Sequence, residues 1–438
     1  MQDAIRRKRD LLFIMSPNSG ILDAWLPVLE RINASGRVRI HALVPWQRTL
    51  LNLRPDDFLV RIATSIFSSI HYCKPNGVWA GARDLGQARA KLQCTQKLNG
   101  AIKRITGYQD TASRDTDPTT REREAKKYFL KAGLNRGSPI LCDISEWEKP
   151  YFAALLNITP ETRIYSAAHG IDLRSLCKST DLSESRTLPK NIEERLVLQF
   201  ALGESERPYH LTKLNISPKK LCISGVFRHD PVWRRKIQII ARNSKPIDFP
   251  YIFIASRNAN KTFLPLDEKK RIYQIIQKEA RRRSLAMVIR RHPLEGNKRA
   301  IDRMLGKSGD VETWLDTMRH PLDIGADCRL AITLYSSVAV DMAAMNVPTI
   351  EPIDYGNCPK TASNIRLDSR GNPTSFYIKH GIVHDASNAE ELSCLMDHFA
   401  PEAGRSVKES SPAYRSLYAD PTDSIRMAAE CVLESIAS

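Results

Sequence analysis

Long apolar runs are missing from this 438-residue chain. Nothing in it approaches the ~20 consecutive apolar residues of a bilayer-spanning helix. After Arg6-Arg7-Lys8-Arg9 only Leu11–Met15 is continuously apolar. That is too short for the apolar region of a signal peptide, so it reads as a first strand and the expected location is cytoplasmic. No Cys-x-x-Cys occurs, and the nine cysteines, an odd number, form no cluster with histidine at zinc spacing. Such thiols serve as small apolar residues in a reducing compartment, and neither a metal nor a cofactor is expected. Aromatic residues are only 7%, no RNP-like motif occurs, and basic residues are interspersed with acidic ones. A nucleic-acid partner is therefore not expected. Repeats and low-complexity tracts are absent as well.

What is present is a globular composition, 42% hydrophobic with a mean hydropathy of −0.35. The length exceeds one compact core and suits two domains of roughly 200 residues. The net charge of +17 by itself fits nucleic acid, an anionic membrane surface or a phosphorylated substrate, and charge alone does not choose among them.

The pattern is α/β throughout. Leu11–Met15 reads as a strand and Ser16–Gly20 as a turn. Ile21, Leu22, Trp25, Leu26, Val28, Leu29 and Ile32 lie on one helical face, and a strand resumes at Arg39–Val44. The turn has one glycine rather than Gly-x-Gly-x-x-Gly, so no dinucleotide is expected there. Residues 83–133 read as charged helix with a break at Thr111–Thr120. The Asp115-Thr116-Asp117 in that break follows no hydrophobic strand and reads as a solvated loop without metal. Arg163–Ala167 is a strand leading into Ala168-His169-Gly170, and Cys222–Val226 breaks into a polar loop ending at Asp230. Arg234–Pro250 looks like a connector. A second α/β run begins at Tyr251 and includes the strand Ala286–Arg290 followed by Arg291-His292-Pro293. Ser387-Asn388-Ala389-Glu390 reads as a capping box opening a helix. The expected fold is two Rossmann-like domains facing a cleft. Residues 1–236 would form the acceptor domain, 237–250 the linker, 251–420 the donor domain and 421–438 a terminal helix able to return to the first domain.

The stretch Leu330–Pro352 has the most chemistry. An apolar strand at Leu330–Thr333 turns at Ser336-Ser337 into a helix at Val338–Met345. Either Ser336 caps that helix, or the serines and the helix start hold a phosphate.

Four landmarks stand in order: His169-Gly170, Gly225-x-x-Arg228-x-Asp230, Arg291-His292-Pro293, and Tyr335-Ser336-Ser337 with Asp341 four residues beyond. Together they resemble the CDP-glycerol glycerophosphotransferase-like family and related capsule and surface-polysaccharide transferases of the GT-B fold, over roughly residues 160–400. The resemblance implies that His169 is the catalytic base, that His292 contacts the donor phosphates, and that Ser336 and Ser337 bind phosphate. The family motifs usually carry aspartate where this chain has Leu334, and proline where it has Phe227.

The chemistry agrees with that reading. Transfer from a nucleotide-activated donor requires deprotonation of an acceptor hydroxyl and stabilisation of a leaving phosphate. A histidine with a pKa near 6.5 suits the first task. Arg228, Arg291, His292 and the serines suit the second without a metal. Gly170, Gly225, Pro293 and Asp341 are supporting positions, and Asp230 either orients a ring N–H or caps a helix. The expected partners are a nucleotide-activated donor, cytidine-linked or otherwise, a glycan or lipid-linked acceptor, and the inner face of a membrane. A UDP-sugar 2-epimerase is the alternative enzyme. It needs several acid/base carboxylates, for which the sequence offers no evident set.

Overall fold

The computed structural model describes residues 8–437 apart from 16–19, 53–57, 75–77, 107–117, 135–136, 144–145, 148, 159–160, 168–187, 245–246, 293–294, 296–300, 302–303, 306–313, 318, 363–364 and 401–409. The chain divides into two units, Met1–Asp230 with Ala419–Ser438, and Pro231–Tyr418. Both are Rossmann-like, and the architecture is of the GT-B type.

The first unit is built on an eight-stranded sheet in the order β4-β3-β2-β1-β5-β6-β7-β8. Its strands are β1 (Arg9–Ile14), β2 (Val38–Val44), β3 (Phe67–Cys73), β4 (Trp79–Ala82), β5 (Ile140–Asp143), β6 (Ile164–Ala167), β7 (Leu196–Ala201) and β8 (Leu221–Ile223). Only the β3/β4 pair is antiparallel. Leu11–Ile14 in β1 and all of β5 and β6 are buried, as strands of a parallel sheet covered on both faces must be. The Gly20–Ala34 helix supplies one cover. Its buried face runs through Ile21, Leu22, Trp25, Leu26, Val28, Leu29 and Ile32, the i, i+3, i+4 spacing of an amphipathic helix. Trp25 packs edge-on against Phe200 at 5.9 Å and lies 5.5 Å from Phe227. Phe227, which stands where the family motif has proline, is thus part of the core.

The Ser424–Ala437 helix belongs to this unit. Arg163 donates to the Ser435 carbonyl, and the Tyr165 hydroxyl to the Cys431 carbonyl at 3.3 Å. Gly225 adopts φ +74, and a Cβ there would lie 3.0 Å from the Ala419 carbonyl oxygen. Only glycine takes this conformation without strain while letting the returning chain pass so close.

The second unit carries six parallel strands in the order β11-β10-β9-β12-β13-β16. They are β9 (Tyr251–Ala255), β10 (Ala286–Arg290), β11 (Trp314–Thr317), β12 (Ala331–Thr333), β13 (Thr349–Glu351) and β16 (His384–Asp385), and β14 (Arg366–Leu367) pairs separately with β15 (Pro373–Thr374). The stretch 237–250, expected as a linker, instead carries the latter part of the Pro231–Ser244 helix and lies wholly in this unit. Trp233 and Ile237, one turn apart, are buried while Arg235 is exposed, so a helical period underlies what reads as a basic connector. The capping box also sits one residue later than expected. Asn388 accepts the Glu391 N–H at 2.9 Å, and Glu391 accepts the Ser387 N–H at 2.8 Å.

No helix among the described residues is long and apolar enough to cross a membrane. The described cysteines are free thiols, and burial pushes the Cys142 thiol well above its ordinary pKa.

Gly225→Ala combines a left-handed φ with a backbone clash, so it should destabilise the protein by more than about 1 kcal/mol. Chemical denaturation measures this. An unchanged midpoint would mean that the Ala419 crossing is looser than 3.0 Å implies.

Candidate functional site

In the second unit the chain steps from β9 outward to β10 and β11, then returns to the other side of β9 with β12, β13 and β16. The loops leaving β9 and β12 therefore diverge at their carboxyl ends, and such a switch point forms the ligand crevice of an open parallel sheet. The residues that follow the strand ends there are Ser256-Arg257 after β9, Arg291-His292 after β10, and Leu334–Ser337 after β12.

A buried ion pair ties the first two loops together. Lys269, on the Leu266–Arg282 helix, donates to the Glu295 carboxylate and to the Arg257 carbonyl. The same carboxylate accepts from the Ser256 hydroxyl at 2.6 Å and from the His292 N–H at 3.0 Å, while the Glu295 N–H donates to the His292 carbonyl at 2.8 Å. Two charges that would be costly to bury singly are thus paired and hydrogen-bonded. The His292 ring is partly buried. Burial, then the neighbouring Arg257 guanidinium, lower its pKa against an opposing pull from Glu295, so it is mostly neutral at pH 7.

The third loop is strained and held from both sides. Tyr335 has φ +56, a left-handed conformation that costs a bulky residue about 1–3 kcal/mol. Its N–H donates to Glu351 Oε2 at 3.1 Å, and its carbonyl accepts from the Arg257 guanidinium. That guanidinium stacks over the Tyr335 and Phe263 rings, 4.9 and 5.3 Å from their centroids. Glu351, at the end of β13, is fully buried and also accepts from the Tyr355 hydroxyl at 2.9 Å and from Ser375. Burial pushes its carboxyl up to about 7 against these hydrogen bonds, which pull it down.

The two serines differ in their surroundings. Ser336 Oγ accepts the Val338 N–H at 3.3 Å, as a helix cap does, whereas Ser337 is exposed and makes no side-chain cap bond. The helix that follows, Val338–Ala344, is only seven residues long. Beside it, beyond β13 and β16, lies a cavity of about 640 Å³ lined by Tyr355, Asp354, Asp385, Lys379, Thr374 and Ser387, among others.

The remaining expected positions are dispersed. Asp341 is buried on the Val338–Ala344 helix. Arg228 and Asp230 belong to the first unit with Gly225. Arg228 Nη1 donates to the Asp23 carboxylate at 2.8 Å, and Asp230 accepts the Ile425 N–H at 3.5 Å, at the start of the terminal helix. His169, Gly170, Pro293 and the Asp115–Asp117 loop lie outside the described residues. Sequence reasoning missed Ser256, Arg257, Lys269, Glu295 and Glu351. The first two directly follow Tyr251–Ala255, as Arg291 and His292 follow Ala286–Arg290, so their place at a strand end was legible in the sequence.

Elsewhere in the first unit a polar chain runs from Asp10 through His41, Ser69 and His71 to Tyr128, with spacings of 3.0, 2.7, 2.7 and 2.9 Å. Every ring nitrogen in it has a partner, so it serves as a satisfied structural network. No group of three or more His, Cys, Asp or Glu among the described residues could hold a metal ion.

No protein-family model matches the chain, and no curated protein sequence matches it. Solved structures do resemble it in fold. A protein named as a UDP-N-acetylglucosamine 2-epimerase from Listeria monocytogenes superposes with a TM-score of 0.53 at 11% identity, covering 98% of this chain and 96% of its own. The UDP-GlcNAc 2-epimerase of Methanocaldococcus jannaschii gives 0.52 at 11%, over 98% and 99%. The S. aureus protein MnaA in complex with UDP gives 0.50 at 12%, over 98% of each chain. At these identities the likeness is one of fold.

If the Lys269–Glu295 pair organises the site, Lys269→Met should cost about 3–5 kcal/mol by stranding the carboxylate, and adding Glu295→Leu should recover much of it. Denaturation of both variants measures this. A single substitution costing under about 1 kcal/mol would show that the pair is not the organiser.

Proposed function

We propose that the chain is a transferase that holds a nucleotide-activated donor by its phosphates at the β9/β12 switch point. It then passes a glycosyl or polyol-phosphate unit to a surface-polysaccharide or teichoic-acid-like acceptor. The observation that carries this reading is the convergence of Arg257, Arg291, His292, Ser336 and Ser337 on the carboxyl ends of three adjacent strands. Fixed cationic and hydroxyl donors can neutralise a leaving phosphate as its charge grows, which is the task a metal would otherwise perform. The neighbouring cavity, with carboxylates able to accept hydroxyl protons, suits a polyol or sugar. The base is proposed to be His169, on the family resemblance. The surplus of basic residues suits an anionic membrane surface or polymer, each Lys or Arg adding about 1 kcal/mol near such a membrane.

A second reading follows from the names of the similar structures, a UDP-sugar 2-epimerase acting on a nucleotide sugar at the same phosphate site. Epimerisation needs acid/base carboxylates beside the sugar ring. Glu295 and Glu351 are both engaged in buried bonds, which favours the transferase. Incubation with donor alone separates the two, since epimerisation requires no acceptor.

Two variants test the transferase. Ser336→Ala with Ser337→Ala should weaken binding of CDP- or UDP-linked donors by about 1–3 kcal/mol, the scale of hydrogen bonds to charged groups, without loss of fold. Titration calorimetry reads the change, and unaltered affinity would return both serines to a structural role.

His169→Ala should keep donor binding and lose about 10²–10⁴-fold in turnover. The wild-type rate should fall on acidification, because a base must be neutral to accept a proton. Near wild-type turnover in this variant would move the base to another residue, with His229 or Asp230 next to be tried.

A further inference from the structure

The carboxyl of Glu351 is built into the floor of the strained loop. It sits at the end of β13, receives the amide of Tyr335 at 3.1 Å, the hydroxyl of Tyr355 at 2.9 Å and the hydroxyl of Ser375, and has no exposure to solvent. Ser336 and Ser337 follow Tyr335 directly. An anion held by those serines and by Arg257 therefore approaches a carboxyl whose hydrogen-bond partners among the described residues, Tyr335, Tyr355 and Ser375, are all uncharged. A polar anchor for a left-handed residue could equally have been glutamine, which never charges. Glutamate can hold the same loop in two states, as a carboxylate accepting three hydrogen bonds or as a neutral acid.

We propose that Glu351 is a positioning residue that couples anion binding in this loop to protonation of its own carboxyl. The inference rests on the phosphate-binding reading of the site and adds what that reading lacks, a linkage between donor charge and a proton. When the donor diphosphate arrives, a proton from solvent bonds to a Glu351 oxygen, the buried negative charge disappears, and repulsion between carboxylate and phosphate is removed. The Tyr335 amide keeps an acceptor on the neutral acid, so the loop keeps its shape. On donor release the proton returns to solvent.

The direction of the pH dependence follows. With the free carboxyl titrating near 7, it is already neutral at pH 6 and binding takes up no proton there. Above pH 7 it is ionised, so binding takes up a proton and weakens as the pH rises. The groups facing it are Tyr335, Tyr355 and Tyr377, Asp385 on β16, and Arg257 through the Tyr335 carbonyl. Burial holds Tyr355 and Tyr377 far above their ordinary value, so they stay neutral. Burial, then Glu391 and Asp354, raise Asp385 above its ordinary 3.8. His292, lowered below 6.5, adds a dependence of the same sign at lower pH. A variant at Glu351 is therefore needed to isolate its part.

The test uses full-length protein with CDP-glycerol and UDP-N-acetylglucosamine, whose diphosphates are diesters of fixed charge between pH 6 and 9. Calorimetric titration in two buffers of different ionisation enthalpy counts the protons taken up on binding. Wild type should take up close to one proton at pH 8 and should bind about 20–30-fold more weakly at pH 8.5 than at pH 6, as a carboxyl raised by two pKa units or more on binding requires. Glu351→Gln, which has the hydrogen-bonding pattern of the neutral acid, should bind at pH 8.5 as wild type does at pH 6 and take up no proton at pH 8. Tyr355→Phe removes a hydrogen bond that favours the carboxylate, so it should move the onset of uptake to higher pH, and it serves if Glu351→Gln does not fold. Proton uptake that survives Glu351→Gln, or wild-type binding with no uptake at pH 8, overturns the proposal. Failure of wild type to bind either diphosphate overturns the phosphate reading itself, and the Glu351 inference with it.

Discussion

The second unit's crevice depends on one buried contact, the ammonium of Lys269 against the carboxylate of Glu295. It gives the loops after β9 and β10 a common partner. With it, the Arg257 carbonyl, the Ser256 hydroxyl and the His292 amide all converge on one pair of charges. A buried ion pair is seldom a net source of stability, because desolvation offsets the attraction. What it does well is specify geometry, since each charge accepts few alternatives to its partner. Two loops that must present cations at fixed positions suit such a device better than an apolar contact, which tolerates sliding.

The strain at Tyr335 belongs to the same logic. A left-handed tyrosine persists only where its surroundings over-determine it. Here the Arg257 guanidinium holds the carbonyl, Glu351 holds the amide, and the ring packs against Phe263 and Tyr377 at 5.1 and 5.5 Å. The loop is therefore fixed before any ligand arrives, and little ordering remains to oppose binding. Arg257 has two tasks, since the same guanidinium that props the loop adds positive charge beside His292 and helps keep that imidazole neutral.

Much of the architecture was legible because parallel strands buried on both faces read as short continuous apolar runs, and their helices repeat with a period near 3.6. Leu11–Met15, Tyr251–Ala255 and Ala286–Arg290 all announce themselves in that way. The family resemblance added the GT-B expectation from four short motifs. Pro231–Ser244 was misread because Arg234-Arg235-Lys236 and Asn243-Ser244 dominate its composition, while Trp233 and Ile237, the residues that bury it, are few. Within the site, Arg291, His292, Ser336 and Ser337 were visible as polar residues at strand ends. Lys269 and Glu295 were not, because one lies in the first turn of a helix and the other in a loop, 26 residues apart. Only the tertiary fold brings them together. Glu351 was hidden differently, as the last residue of a strand whose neighbours are apolar, where a carboxylate is uncommon.

The bulk charge of +17 could be taken for the origin of the proposed anion binding, yet the local arrangement does not need it. A surface excess of lysine and arginine raises the concentration of anions near the protein and is screened within about 8–10 Å at physiological salt. It confers no geometry. The crevice relies instead on a few cations whose orientation is set by neutral or negative partners: Arg257 by a carbonyl and two rings, and Arg290, at the end of β10, by the Arg319 carbonyl at 3.0 Å. Charge that is held in place in a partly desolvated crevice acts on a phosphate more strongly than several mobile charges in water. The buried carboxyl of Glu351 gives that arrangement its counterweight. On the proposed reading, cations alone would bind a diphosphate and keep it, whereas an acid beneath the same loop, able to ionise near neutral pH, would give the site a means of letting the product go.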